Sequence, residues 1–184
     1  MDDWKPLFTQ QEIQSRIKQL AKKITGDYKD KDFIAICVLK GAFLFFGDLI
    51  RLIDLPVTVD FIIASSYIKN QSSGHIQIDY QMKEVLTNKD VLIIEDIVDT
   101  GLTLKYIIET IAEQKPKSLK VCALLDKKER RQVKVNLDYV GFDVPDLFVV
   151  GYGMDYENQF RNIPYIAVVD DAVKHLKHCN DNVR

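Results

Sequence analysis

The chain has 184 residues, 47% of them hydrophobic and 28% charged, which is enough apolar content to bury one continuous core without disulfide or metal staples. A formal net charge of -2 carries no basic excess, which argues against a dedicated nucleic-acid binder and for a small-molecule partner. Cys37, Cys122 and Cys179 have neither disulfide-framework nor zinc spacing, no apolar run reaches membrane-spanning length, and the start (Asp2-Asp3-Trp4-Lys5-Pro6) lacks a signal-peptide pattern. A soluble cytoplasmic protein is expected, folded as a single domain over residues 1–184.

Thr9-Gln10-Gln11-Glu12 has capping-box spacing, and Ile13, Ile17, Leu20 and Ile24 then recur at helical intervals until Gly26, which predicts an amphipathic first helix. Residues 33–39 form a continuous apolar run, too short for most helices and suited to a strand covered on both faces. Lys40-Gly41 breaks it. A helical pattern over 42–52 and a β-branched, aromatic run over 57–64 complete a β-α-β unit. Residues 65–74 are polar and read as a long lid-like loop, followed by an alternating strand over 75–80. The rhythm repeats with a strand at 91–94, a helix at 103–113 and a strand at 119–125. Short strand-like runs over 142–152 and 163–169 and a last helix over 170–178 close the chain. This alternation predicts an α/β fold, a mostly parallel twisted sheet flanked by helices, with the ligand site beyond the carboxyl ends of the strands. Cys37 and Cys122 fall inside strands as small buried hydrophobes. His175, His178 and Cys179 read as ordinary solvated residues, and Trp4 as a packing or subunit-contact residue.

Chemistry concentrates after the 91–94 strand. Glu95 and Asp96 are followed by Asp99 and by Thr100-Gly101-Leu102-Thr103 leading into a helix. Backbone N–H groups at such a turn cradle a phosphate, and the acids hold ribose hydroxyls or a metal. A Rossmann glycine fingerprint and the Gly-Lys-Ser/Thr ending of a P-loop are both missing. Acids at a strand end also solvate it or cap the next helix, and a magnesium-dependent phosphoacceptor site uses similar acids. The first reading is weakened by an apolar strand running straight into three acids and a phosphate-sized turn, and the second leaves the polar loop and residues 148–161 unexplained.

Residues 91–103 resemble the phosphoribosyl-pyrophosphate motif of the type I phosphoribosyltransferases, in the wording of the hypoxanthine-guanine branch. Leu39-Lys40-Gly41, Ser66-Tyr67, Lys127, residues 148–156 and Phe160-Arg161 fall in the family's order, so the resemblance spans roughly 33–169. It implies the type I fold, with a small hood over the site and a mobile lid loop. The implied activity joins a 6-oxopurine to phosphoribosyl pyrophosphate in purine salvage, with hypoxanthine as the first choice of base and Mg2+ as cofactor. A homodimer or homotetramer, and no nucleic-acid or membrane partner, come with it. Glu95, Asp96, Thr100, Gly101, Leu102 and Thr103 match the phosphoribosyl-binding residues, with Leu102 standing where some members carry lysine. Asp99 matches the catalytic base at purine N7. Lys40 and Gly41, at a non-proline cis peptide, and Arg161 match the pyrophosphate contacts. Lys127, Phe148, Val149 and Asp155 match the purine side, Ser66 and Tyr67 the lid, and Glu95, Asp96 and Asp155 the magnesium ligands. The alternative within the same fold is a regulator that senses phosphoribosyl pyrophosphate.

Overall fold

The computed structural model describes residues 4–66, 76–80 and 83–169. The central sheet has six strands in the order β4-β3-β2-β5-β6-β7. Strands β2 (Phe33–Leu39), β3 (Thr58–Ser66), β5 (Asp90–Val98), β6 (Ser118–Asp126) and β7 (Tyr139–Asp143) run parallel, and β4 (Ile76–Tyr80) pairs antiparallel with the edge of β3. Helices α1 (Gln10–Asp27) and α2 (Phe43–Ile50) cover one face, and α3 (Leu102–Ala112) covers the other. The expected parallel α/β sheet is therefore present.

The alternation of side chains along each strand decides which face they feed. Ala35, Cys37, Leu92 and Ile94 point into the core shared with Ile13, Ile17 and Ile24 of α1 and Phe45 of α2. Their neighbours Ile34, Ile36, Val38, Val91 and Ile93 point into the core shared with Leu104, Ile107 and Ile111 of α3. Both faces of the central strands are apolar, so β2 and β5 read as unbroken hydrophobic runs.

The predicted capping box forms. Thr9 Oγ1 accepts from the Glu12 N–H at 3.3 Å, and the Glu12 carboxylate accepts from the Thr9 N–H at 2.8 Å. The helix passes through Gly26, the predicted stop, to Asp27 and is capped by Tyr28, whose N–H donates to the Ile24 carbonyl at 2.9 Å. Buried Ile24 and Tyr28 on either side hold the last turn in place, outweighing the roughly 1 kcal/mol that an isolated glycine costs a helix.

Three further corrections concern strands. The strand expected over 91–94 runs through Glu95 and Asp96 to Val98, because pairing with β6 continues from Asp90 to Val98. The polar loop begins later than expected, since Ser65 and Ser66 pair with Gln77 and Ile76 as the end of β3. Residues 142–152 divide into the end of β7 and a separate β8 (Val149–Val150). Strand β8 belongs to a second, three-stranded antiparallel sheet, β1-β9-β8, with β1 (Pro6–Phe8) and β9 (Ile166–Val168). Strand β1 had no signal in the sequence. Trp4 packs edge-on against Phe160, ring centroids 4.7 Å apart, beside this small sheet. Tyr67, most of the polar loop and the helix expected over 170–178 lie outside the described residues. No helix among the described residues is long and apolar enough to cross a membrane.

Candidate active site

The sheet order places the site. From β2 the chain crosses through α2 to β3 on one side, and from β5 it crosses through α3 to β6 on the other. Between the carboxyl ends of β2 and β5 the connections diverge, which opens a crevice at the switch point. A cleft of about 270 Å³ lies there, lined by Lys40, Gly41, Glu95, Asp96, Thr103, Asp155 and Arg161 among others. Seven of the residues expected at the site thus share one concave surface.

The floor of this cleft is acidic. Glu95 is buried, and burial followed by repulsion from the Asp96 carboxylate pushes its carboxyl well above the ordinary range. The Asp96 N–H donates to Glu95 Oε1 at 3.1 Å. Among the described residues neither acid is in an ion pair. Gly41 approaches so closely that a Cβ there would overlap the Asp96 carboxylate, so a side chain at this position is excluded by contact. The non-proline cis peptide is the bond preceding the expected pair, Leu39-Lys40.

Opposite these acids, the segment after β8 supplies Asp155 and Arg161. They pair with each other at 2.6 Å, and Arg161 also donates to the Gly153 carbonyl at 2.8 Å. Asp155 lines the same cleft as Glu95 and Asp96, yet no group of three or more metal-binding side chains is present among the described residues. The carboxylates of this cleft, completed by substrate oxygens and waters, make a hard-oxygen donor set that fits Mg2+.

Residues 99–103 wrap the start of α3. Gly101 is its N-cap with φ 84°, and Asp99 Oδ1 accepts no hydrogen bond while its Oδ2 faces Arg130, so the alternative role of Asp99 as a helix cap is not realised. Thr100 Oγ1 accepts from the Leu102 N–H at 3.4 Å, and Leu102 stands half-exposed. The N–H groups at this helix start and its dipole favour an anion.

On the other side of Asp99 lies a second cluster. Lys127 follows β6, is 5% exposed, and donates its backbone N–H to the Val98 carbonyl at 3.0 Å. Lys128, by contrast, is solvated and pairs with Asp143 at 2.7 Å. Arg130 reaches Asp99 Oδ2 at 3.3 Å and Asp146 at 3.7 Å, which bridges the Asp99 turn to the segment leading into Phe148. Asp99 Oδ1 is buried with no hydrogen-bond partner. Phe148 is partly exposed and meets Tyr156 edge-on, centroids 5.7 Å apart, while Val149 is buried in β8 opposite Val168. Ser66 ends β3.

Sequence reasoning missed Arg130 and Arg131. Arg131 is ion-paired with buried Asp126 and donates to the Asp99 carbonyl at 3.1 Å. Their only sequence signal is a run of charges, Asp126-Lys127-Lys128-Glu129-Arg130-Arg131, that reads as a solvated face. In the fold its first two members are buried.

Comparisons with known proteins agree with this geometry. The phosphoribosyl transferase domain family matches residues 3–157. The hypoxanthine-guanine phosphoribosyltransferase of Bacillus subtilis is 46% identical over 170 residues, covering 92% of this chain and 94% of the relative. A crystal structure of a hypoxanthine phosphoribosyltransferase from Staphylococcus aureus superposes with a TM-score of 0.89 at 42% identity, covering 94% of this chain and 95% of the other. The hypoxanthine phosphoribosyl transferase of Trypanosoma cruzi gives a TM-score of 0.90 at 38% identity, covering 97% and 98%. The chain has the type I fold and belongs to the phosphoribosyltransferase family, in its hypoxanthine-guanine branch.

Proposed function

We propose that this chain transfers the phosphoribosyl group of phosphoribosyl pyrophosphate to N9 of hypoxanthine and guanine in purine salvage, releasing pyrophosphate. The observation that carries the reading is the joining of two sites at the end of β5. An acidic cleft faces the Lys40-Gly41 turn, and a phosphate-sized helix start and a buried lysine flank Asp99.

In this reading the backbone donors of Thr100, Gly101, Leu102 and Thr103 hold the 5′-phosphate. Glu95 and Asp96 take the ribose hydroxyls and, with Asp155 across the cleft, the magnesium ion, which when bound neutralises charge on the departing pyrophosphate. Lys40, Gly41 and Arg161 bind that leaving group. Lys127 donates to the purine 6-oxo oxygen, Phe148 stacks on the ring, and Val149 offers backbone hydrogen bonds. The N9 lone pair attacks C1′, the bond from C1′ to the pyrophosphate oxygen breaks with its electrons leaving on pyrophosphate, and the N7 proton passes to Asp99. Asp99 Oδ1, buried and unpartnered, is the acceptor that such a proton would satisfy. The family resemblance assigns Ser66 and Tyr67 to a lid, and Tyr67 lies outside the described residues.

Incubating the protein with hypoxanthine, phosphoribosyl pyrophosphate and magnesium should yield nucleoside monophosphate, and no product would sink the reading. Asp99→Asn should lower kcat by about 100- to 10,000-fold, the usual contribution of general-base catalysis. The regulator alternative is not favoured, since the acids, Asp99 and Lys127 sit together as a transferase needs them. A cytoplasmic location is supported by the free, buried thiols of Cys37 and Cys122. A homodimer or homotetramer is supported by exposed Phe43 on α2 and by Val59 and Phe61 on β3, with Phe61 packed against Phe46 of α2. Sedimentation equilibrium would give the assembly mass.

A further inference from the structure

The turn after β8 is held in an unfavourable backbone shape. Gly151, Tyr152 and Gly153 all have positive φ, at 93°, 48° and 101°. For a residue as bulky as tyrosine this region is sparsely populated and persists only where the surroundings enforce it. The surroundings are specific. Tyr152 is 4% exposed, and its hydroxyl donates to Asp48 Oδ2 at 2.6 Å. The same oxygen accepts from Gln14 Nε2 of α1 at 2.6 Å. Asp48 sits on α2, the helix that begins two residues beyond Gly41.

The consequence lies at the cleft. Gly153, next to Tyr152, approaches the Gly41 backbone so closely that a Cβ would overlap the Gly41 carbonyl. The Gly153 N–H donates to the Arg161 carbonyl at 2.9 Å, and the Gly153 carbonyl accepts from the Arg161 guanidinium at 2.8 Å. One side chain thus fastens the Arg161 turn to the helix that carries the Lys40-Gly41 turn.

We propose that Tyr152 and Asp48 are positioning residues for the pyrophosphate half of the site, setting the separation of Arg161 and Asp155 from the Gly41 turn. They touch no reacting atom and act through Gly153. The proposal rests on the phosphoribosyl-transfer reading of the cleft and deepens it. Because Asp99 and Lys127, the groups given to the purine N7 and 6-oxo positions, follow β5 and β6 rather than β8, the tether should affect phosphoribosyl pyrophosphate far more than the purine.

The test is steady-state kinetics of Tyr152→Phe, Asp48→Asn and the double variant. Each single variant should raise the KM for phosphoribosyl pyrophosphate by about 10-fold, the worth of a charge-assisted hydrogen bond expressed as a ratio. The KM for hypoxanthine and kcat should stay within about 2-fold, and the double variant should be no worse than the worse single, as coupled partners require. An unchanged KM for phosphoribosyl pyrophosphate, an equal rise in both KM values, or additive losses would overturn the proposal. Tyr152→Phe keeps the buried ring, so it carries the test if Asp48→Asn fails to fold. Calorimetric titration with magnesium pyrophosphate separates this proposal from the activity. Should wild-type protein bind pyrophosphate yet make no nucleotide, the transfer reading fails. A weaker Kd in Tyr152→Phe would still support the tether, and an unaltered Kd would refute it.

Discussion

Lys127 and Lys128 are adjacent and chemically alike, yet the fold treats them differently. Lys127 is buried beside Asp99 and Val98, whereas Lys128 forms a solvated pair with Asp143 in which both side chains are more than 60% exposed. A subsite built to hydrogen-bond an oxo group rejects a base that lacks it, because the site's own polar group then goes unpaired. Lys127→Ala should therefore lower kcat/KM for hypoxanthine by about 100-fold or more, because a hydrogen-bonding subsite discriminates strongly. Lys128→Ala removes only an exposed ion pair, worth about 1 kcal/mol at most, and should leave kcat/KM unchanged. If the two variants lost activity equally, the 6-oxo assignment of Lys127 would be wrong. In the sequence these lysines sit in one charge run, and only the resemblance chose between them. The deciding physics is the register of β6, in which Asp126 pairs with Val98 and carries Lys127 inward.

At the scale of elements, β5 and the turn after β2 form one unit. Gly41→Ala would drive a methyl group into the Asp96 carboxylate, and the neighbouring Gly153 backbone limits any retreat. The expected result is a folded protein whose KM for phosphoribosyl pyrophosphate rises by about 10-fold or more, read beside an unchanged KM for hypoxanthine. An unchanged phosphoribosyl-pyrophosphate KM would mean that this contact has no bearing on the site. On α1, Thr9→Ala should cost about 1 kcal/mol of stability with activity intact, as loss of an N-cap does. A thermal melt beside an activity assay would check both halves of that expectation. These elements differ in how legible they were. The helix after Thr9 and the buried strand Phe33–Leu39 announce themselves through many positions of one period, so pattern alone finds them. Strand β5 was cut short because Glu95 and Asp96 defy strand propensity, and only its pairing with β2 and β6 keeps them in the sheet. Strands β8 and β9 fall inside the strand-like runs expected over 142–152 and 163–169, whereas β1, three residues long, exists through a partner more than a hundred residues away and left no signal. The Tyr152-Asp48 tether also joins residues remote in sequence, 104 apart, and no local pattern signals it.

Across the whole molecule, the core that α1 and α2 share with the sheet holds several weak acids in their neutral form. Burial raises the Cys37 thiol to about 12, and it also raises Cys122, Tyr28, Tyr139 and Tyr152 further above their ordinary values. Their positions explain the shifts. Cys37 and Cys122 lie within strands, the Tyr28 hydroxyl donates to the Val91 carbonyl at 3.3 Å, and the Tyr139 and Tyr152 hydroxyls donate to Asp27 and Asp48. In the unfolded chain the thiols titrate near about pH 8.5 and the phenols near about pH 10. The sign follows from proton counting. Between the unfolded and folded values the native state binds more protons than the unfolded state, so stability falls as pH rises. The contribution is fully present below about pH 8.5 and is lost on going up through the raised native values. The exposed ion pairs contribute little over the same range, which leaves the buried acids to set the slope. Melting temperatures should therefore hold steady up to about pH 8.5, decline above it, and decline more steeply past about pH 10. Tyr28→Phe keeps the ring packed against Phe33 and removes one titrating hydroxyl. Its melting curve should fall less steeply above about pH 10 than that of the wild type, even if it starts slightly lower. Parallel slopes for the two proteins would mean that Tyr28 ionises in the folded state as readily as it does when unfolded.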